Sequence, residues 1–141
     1  MASDQEVRVL LTQLQQAEVE ARAYERQMEV VSFTINEIDN AVTAIEALKK
    51  PDVGKEALIP IGANSFVYGT VPQTNRVIIG LGANVSAEVD VTNAISYLSE
   101  RKKKLTEMQQ QFATRLNQIG SQIYALQSKL QAVQSESQAA Q

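Results

Sequence analysis

Few groups in this 141-residue chain could do chemistry: the carboxylates Glu18, Glu20, Glu25 and Glu29, the pair Gly80-Leu81-Gly82, and the basic run Arg101-Lys102-Lys103-Lys104. The four glutamates are spread over a helical surface with neither metal-ligand nor acid/base pairing. The glycine pair lacks the third glycine of a dinucleotide loop and the lysine of a P-loop. The next helix also starts too late to receive a phosphate, so these are turn glycines. One helical turn sends the four basic residues to different sides, and the chain is acidic overall, with a net charge of −3. That run reads as a solvated face or an intersubunit salt-bridge site rather than a nucleic-acid site. Cys and His are both absent. Their absence removes disulfides, thiol nucleophiles and the commonest general base and metal ligand. No catalytic residue, metal site or cofactor is expected, and the chain does not read as an enzyme.

The elements that carry these residues are set by two long heptad runs. The first is Val7, Leu10, Leu14, Ala17, Ala21, Tyr24, Met28, Val31, Ile35, Ile38, Val42 and Ile45, in alternating steps of three and four. The second is Val91, Ile95, Leu98, Lys102, Leu105, Gln109, Phe112, Leu116, Ile119, Ile123, Leu126, Leu130 and Val133. Folding the chain through its middle pairs Val42 with Leu98, Ile35 with Leu105, Met28 with Phe112, Leu14 with Leu126 and Val7 with Val133. Small residues then meet large ones, as in Ala21 against Ile119 and Ala17 against Ile123. A 3.5-residue period keeps one apolar seam on a partner along its whole length. The predicted class is α+β, mainly α: a long antiparallel two-helix coiled coil joined by two β-hairpins, which would join those of other subunits in a shared sheet or an intersubunit β-barrel.

Charge supports the pairing. Residues 1–50 carry nine acids and five bases, whereas 91–141 carry three acids and six bases. Opposite helices therefore attract, and flanking ion pairs select register more than they stabilise. Lys102 and Gln109, polar within the seam, are expected to fix register too. Ser3-Asp4-Gln5-Glu6 predicts a capping box at the first helix start, and Pro51 a stop after about Lys49. Asp90 is the expected N-cap of the second helix.

Residues 51–90 change character. Strands are expected over 57–61, 66–71, 76–81 and 85–88, with turns at Gly62-Ala63-Asn64-Ser65, Pro72-Gln73-Thr74-Asn75 and Gly82-Ala83-Asn84. Pro60 places its strand at an edge or bulge. Isolated two-stranded hairpins are marginal in water, and these are apolar on both faces, so they are expected to join hairpins of other subunits. The division is 1–50 first helix, 51–90 oligomerisation base, 91–133 second helix and 134–141 flexible polar tail. No signal-peptide pattern or bilayer-length apolar run is present, which implies a cytoplasmic protein and makes Asn84-Val85-Ser86 a chance sequon.

At the end of the coil bearing both termini, Val7, Leu10, Leu11 and Leu14 face Leu126, Leu130 and Val133. They either complete the coil or, because terminal turns fray, offer apolar surface to other chains.

The arrangement resembles the prefoldin family, in particular its archaeal α class. The resemblance is carried by Leu58-Ile59-Pro60-Ile61-Gly62, Phe66-Val67-Tyr68-Gly69-Thr70-Val71, Val77-Ile78-Ile79-Gly80-Leu81-Gly82 and the helix start Ala94-Ile95-Ser96-Tyr97-Leu98. Glu88 fits the family's acidic strand position, and Val85 departs from an aromatic one. The resemblance implies two α-class with four β-class subunits, and a holdase that works without nucleotide. It would grip unfolded polypeptides at the distal coil tips and deliver them to a group II chaperonin, with no nucleic acid or membrane involved. Val7, Leu10, Leu11, Leu14, Leu126, Leu130 and Val133 would then hold clients. Ile59, Ile61, Phe66, Tyr68, Val71, Ile78 and Leu81 would form the assembly base. The competing readings are a coiled-coil scaffold or tether without client binding, and a nucleic-acid-binding helical arm, which the acidic first helix disfavours.

Overall fold

The computed structural model describes residues 4–49, 56–72 and 74–139. The order is α1 (Asp4–Ala47), β1 (Glu56–Gly62), β2 (Ser65–Thr70), β3 (Arg76–Gly82), β4 (Val85–Asp90) and α2 (Val91–Ala139). The expected α+β class, with two long helices around two β-hairpins, is what the chain adopts. Ser3 and Pro51, on which the expected helix cap and stop rest, lie outside the described residues. After Ala47 the amides of Leu48 and Lys49 donate to the carbonyls of Ile45 and Glu46, both at 3.1 Å. That three-residue spacing tightens the last turn.

The chain divides into two compact units, Met1–Phe33 with Leu105–Gln141, and Thr34–Lys104. In the first, α1 and α2 run antiparallel. Three cross-helix contacts, Glu20 to Arg115, Tyr24 to Phe112 and Ser32 to Gln109, climb one helix as they descend the other. Every residue of both predicted heptad runs is buried or half-buried. Ile119 is fully enclosed, with Ala17, Val31 and Leu126 buried around the same seam. The small-against-large pairing explains Ile119: its side chain fills room left where α1 carries alanine.

The polar seam residues find partners. Gln109 Nε2 donates to Ser32 Oγ at 2.6 Å, and in the second unit Lys102 Nζ lies 2.7 Å from Asp39 Oδ1. Each is satisfied only in one alignment of the helices, so a slip of one turn would leave a polar group against apolar surface. Among the described residues, no buried side-chain polar atom lacks a hydrogen bond.

Asp90 caps α2 as expected. Its Oδ1 accepts the Asn93 amide at 2.8 Å and its Oδ2 the Asn93 side-chain amide at 2.7 Å. The Val91 amide, a donor the helix cannot use, bonds the Asn75 carbonyl at 3.0 Å. At the other end α2 continues past Val133, where the seam stops, to Ala139. Residues 134–139 are helical but exposed, not the expected tail: Gln, Glu and Ala are adequate helix formers and extend an existing helix without packing.

The second unit carries the hairpins, and they are an internal repeat. Glu56 pairs Thr70 and Gly62 pairs Ser65; twenty residues on, Arg76 pairs Asp90 and Gly82 pairs Val85. Each has a bulge before the same Gly-Ala-Asn turn. Gly62 and Gly82 sit at φ +99° and +98°, where a β-carbon is strained. The two loop residues are left-handed as well, Ala63 at 51° and Asn64 at 57°, Ala83 at 50° and Asn84 at 61°. This is the backbone of a primed hairpin turn, matched to strand twist. Asn tolerates it, whereas alanine costs about 1–2 kcal/mol.

The hairpins differ in cover. On β3–β4, Val77, Ala87 and Val89 are half-buried and Ile79 buried, while the opposite face carries the Arg76–Glu88 ion pair at 3.4 Å. On β1–β2, Leu58, Pro60, Phe66 and Tyr68 on one face are all exposed, and Ile59 and Val67 on the reverse are exposed too. Ile59 leans over Gly69, where any β-carbon would collide with it.

Replacing Ala63-Asn64 by Asn-Gly (Ala63→Asn with Asn64→Gly) removes the alanine strain. Hydrogen exchange of the β1–β2 amides should slow several-fold, corresponding to about 1 kcal/mol. Faster exchange would mean that the turn does not use the left-handed backbone.

Candidate functional site

The reactive-looking groups prove to be structural or solvated. Arg115 is clasped by Glu20: its Nε and Nη2 both donate to Oε1, at 3.2 and 2.7 Å. The hydrogen bond first, and the glutamate's charge second, raise the guanidinium pKa above its ordinary value. A raised value means that the contribution is complete below the ordinary arginine range and fades only above it, so this arginine does not make the clasp pH-sensitive near neutrality. Glu18, Glu25 and Glu29 are exposed. Of the basic run, Arg101, Lys103 and Lys104 are exposed on successive sides of α2, and Lys102 is engaged by Asp39. Among the described residues no cluster of His, Cys, Asp or Glu could hold a metal, and no helix is long and apolar enough to cross a membrane.

What the chain presents instead is apolar surface. Six of the seven residues expected at the assembly base, Ile59, Ile61, Phe66, Tyr68, Ile78 and Leu81, are exposed, with Tyr68 and Ile78 each at 75%. Val71, just past the end of β2, is half-buried. Burial follows the pleat: residues on the Leu58–Tyr68 face of β1–β2 stand clear of any neighbour, and bulged Ile61 and Leu81 project beside their turns. A ribbon of two strands hides at most one face, so the chain alone cannot cover this one.

The seven residues expected at the coil tip divide differently. Leu126 is buried at 8% exposure, Val7, Leu10, Leu14, Leu130 and Val133 are half-buried, and Leu11, outside the seam, is exposed at 47%. Six of them therefore close the coil in this conformation, and Leu11 alone is exposed. Other apolar residues off the seam are exposed as well: Val9, Val19, Val30 and Phe33 on α1, and Met108 and Tyr124 on α2. Ala94, also outside the expected seam, is fully buried where α2 begins.

This geometry has known relatives. The family model for prefoldin subunits matches residues 7–136. The chain is 34% identical over 115 residues to the prefoldin subunit alpha of Methanosarcina acetivorans, covering 79% of this chain and 81% of that one. It is 32% identical over 108 residues to that of Methanothrix thermoacetophila, covering 77% and 71% respectively. In solved structures it resembles a chain of filamentous PFD from Methanocaldococcus jannaschii, with a TM-score of 0.62 at 22% identity, covering 89% of this chain and 98% of that one. That likeness speaks for the fold. A family match across both helices and both hairpins makes this protein a member of the prefoldin family of chaperone subunits.

Proposed function

We propose that this chain is the α-class subunit of a cytoplasmic hetero-oligomeric holdase that keeps non-native polypeptides from aggregating without nucleotide. It acts with β-class subunits, two α to four β, and hands clients to a group II chaperonin. The observation that carries the reading is the two-sided apolar β1–β2 ribbon, open on Leu58, Phe66 and Tyr68. A surface of that kind demands other subunits. Once it is used for assembly, the coil ends are left to do the work. Client contacts there are individually weak, and several coils acting on one chain multiply them through effective concentration. In this reading 51–90 is the assembly base, with Ile59, Ile61, Phe66, Tyr68, Val71, Ile78 and Leu81 at the interfaces. Val7, Leu10, Leu11, Leu14, Leu126, Leu130 and Val133 hold clients when the terminal turns loosen. The direct test is the intact mass of the native complex recovered with this chain from its own cell extract. Two copies with four of a smaller subunit is expected; a homodimer or one large unrelated partner returns the chain to a scaffold role.

Ile78→Asp puts a charge on an exposed apolar strand position, so it spares the fold of the chain but should release free subunits, seen as loss of the complex in native mass spectrometry. An intact complex would remove Ile78 from the interface.

At the coil end, two leucines separate packing from holding. Leu126→Ala should lower coil stability by about 2–4 kcal/mol in chemical denaturation, because the site is buried. Leu11→Ser should leave stability within about 0.5 kcal/mol and still weaken suppression of aggregation of a denatured client. Unchanged suppression would take Leu11 out of the holding surface.

A further inference from the structure

Five of the chain's six glycines lie between residues 54 and 82; the sixth, Gly120, stands in the interior of α2. Glycine in a helix interior is about fivefold less favourable than alanine. Nothing in the coil asks for it: the position is exposed, and a β-carbon there would meet no neighbouring atom within 4 Å. Ser121 follows it and Asn117 precedes it, so three weak helix formers fall within five residues. Gly/Ser pairs are among the few places where a helix bends sharply. The facing stretch of α1, Gln16-Ala17-Glu18-Val19-Glu20-Ala21, is mostly Ala, Glu and Gln, which sustain a helix well. The weakness is thus confined to one helix of the pair.

The weak turn also sits at a boundary. On its inner side Arg115 Nη2 donates to Glu20 Oε1 at 2.7 Å and Nη1 to Gln118 Oε1 at 3.4 Å, and Ile119 is fully enclosed. On its outer side the segment 122–139 carries only Lys129 and Glu136 as charged residues, both exposed. The seam residues Ile123, Leu126, Leu130 and Val133 are what hold that segment to α1. Leu126, Leu130 and Val133, the α2 residues proposed to hold clients, all lie outward of Gly120. Leu126 is only 8% exposed, and fraying from Ala139 would have to undo about three and a half turns to reach it. We propose that Gly120-Ser121 is a hinge in α2, at which the segment 122–139 swings away from α1 as one unit to present its seam to apolar segments of a client. Swinging keeps the segment's own helical hydrogen bonds and bares Leu126, Leu130 and Val133 together. The Arg115–Glu20 clasp and Ile119 keep the coil inward of the hinge closed. The hinge rests on the holdase reading for its use, and adds to it how a buried tip residue comes to meet a client.

The test is amide hydrogen exchange in the assembled native complex, together with binding of a permanently unfolded probe, reduced and carboxymethylated α-lactalbumin. A helix of about 18 residues is marginal in water once detached. Amides 122–139 should therefore exchange as one group, with a step in protection at Gly120. Gly120→Ala should slow that group about fivefold and weaken probe binding about as much, because the open state becomes that much rarer. Gly120→Ala with Gln127→Gly, which sets a glycine at an exposed position one heptad outward, should move the step to 127. Protection that rises smoothly inward from Ala139 overturns the hinge, as does exchange of 122–139 unchanged by Gly120→Ala. Wild-type probe affinity in the Gly120→Ala complex overturns the use of the hinge in holding; the holdase reading then stands, with clients bound to the closed coil. A step at Gly120 in a wild-type complex that neither binds the probe nor suppresses aggregation overturns the holdase reading and leaves the motion.

Discussion

An apolar stripe repeating every 3.5 residues can be hidden only by another such stripe, and in a single chain that returns on itself the second must run antiparallel. Most else in this protein depends on that pairing. It holds Ile119 and Leu126 out of water, aligns Gln109 with Ser32, and commits both helices to lengths of 44 and 49 residues. It also limits what the chain can do. Most of the buried residues among those described are the seam's own, and the other large apolar side chains lie on the outer faces of the helices and on the hairpins. A chain built this way works through surfaces.

The β segment applies the same logic to a ribbon. Two hairpins with one register and one turn could have been equivalent, yet their faces are not. β3–β4 packs Val77 and Ile79 inward and sets the Arg76–Glu88 ion pair beside the exposed Ile78 on the other face. β1–β2 carries no charge between Glu56 and Thr70 and leaves aromatic and branched residues open on both sides. Two-stranded ribbons of that composition are hazards unless something covers them. The asymmetry leaves β1–β2 open on both faces and β3–β4 open on one, and it is β3–β4 that ties to α2, through Asp90 and the Asn75 carbonyl.

Much of this is legible in the order of residues alone. The heptad steps foretell which residues α1 and α2 bury, and the Gly-Ala-Asn turns mark both hairpins, because period and turn chemistry are local signals. What escapes those signals has a physical cause in each case. Ala94 is fully buried three residues after Val91 and four before Leu98, so it falls on the seam's own spacing, where the larger Ile95 draws the reading one residue along. The helical run to Ala139 needs no seam, only residues that tolerate extension of an existing helix. Left-handed Ala63 and Ala83 contradict alanine's preference and follow from the strand twist that the turn must match. Val19 and Phe33 are exposed off the seam, because a heptad period marks the face a helix buries and leaves its outer face unspecified.

In the proposed role, holding other chains sets two demands against each other at the coil end. Residues such as Leu14 and Leu130 contribute to the coil when paired, and they can meet a client only while unpaired. The free energy of holding a client there is therefore reduced by that of opening the seam. Fraying of a terminal turn costs little, which makes such binding possible but keeps it weak and confined to the last turns. Surface that is already exposed carries no such deduction. Leu11, and further along α1 Val19, Val30 and Phe33, are exposed in the closed coil, and water leaves them without any helix having to open. The physical distinction is between a site that competes with the fold and one that the fold presents, and this chain has residues of both kinds on one helix.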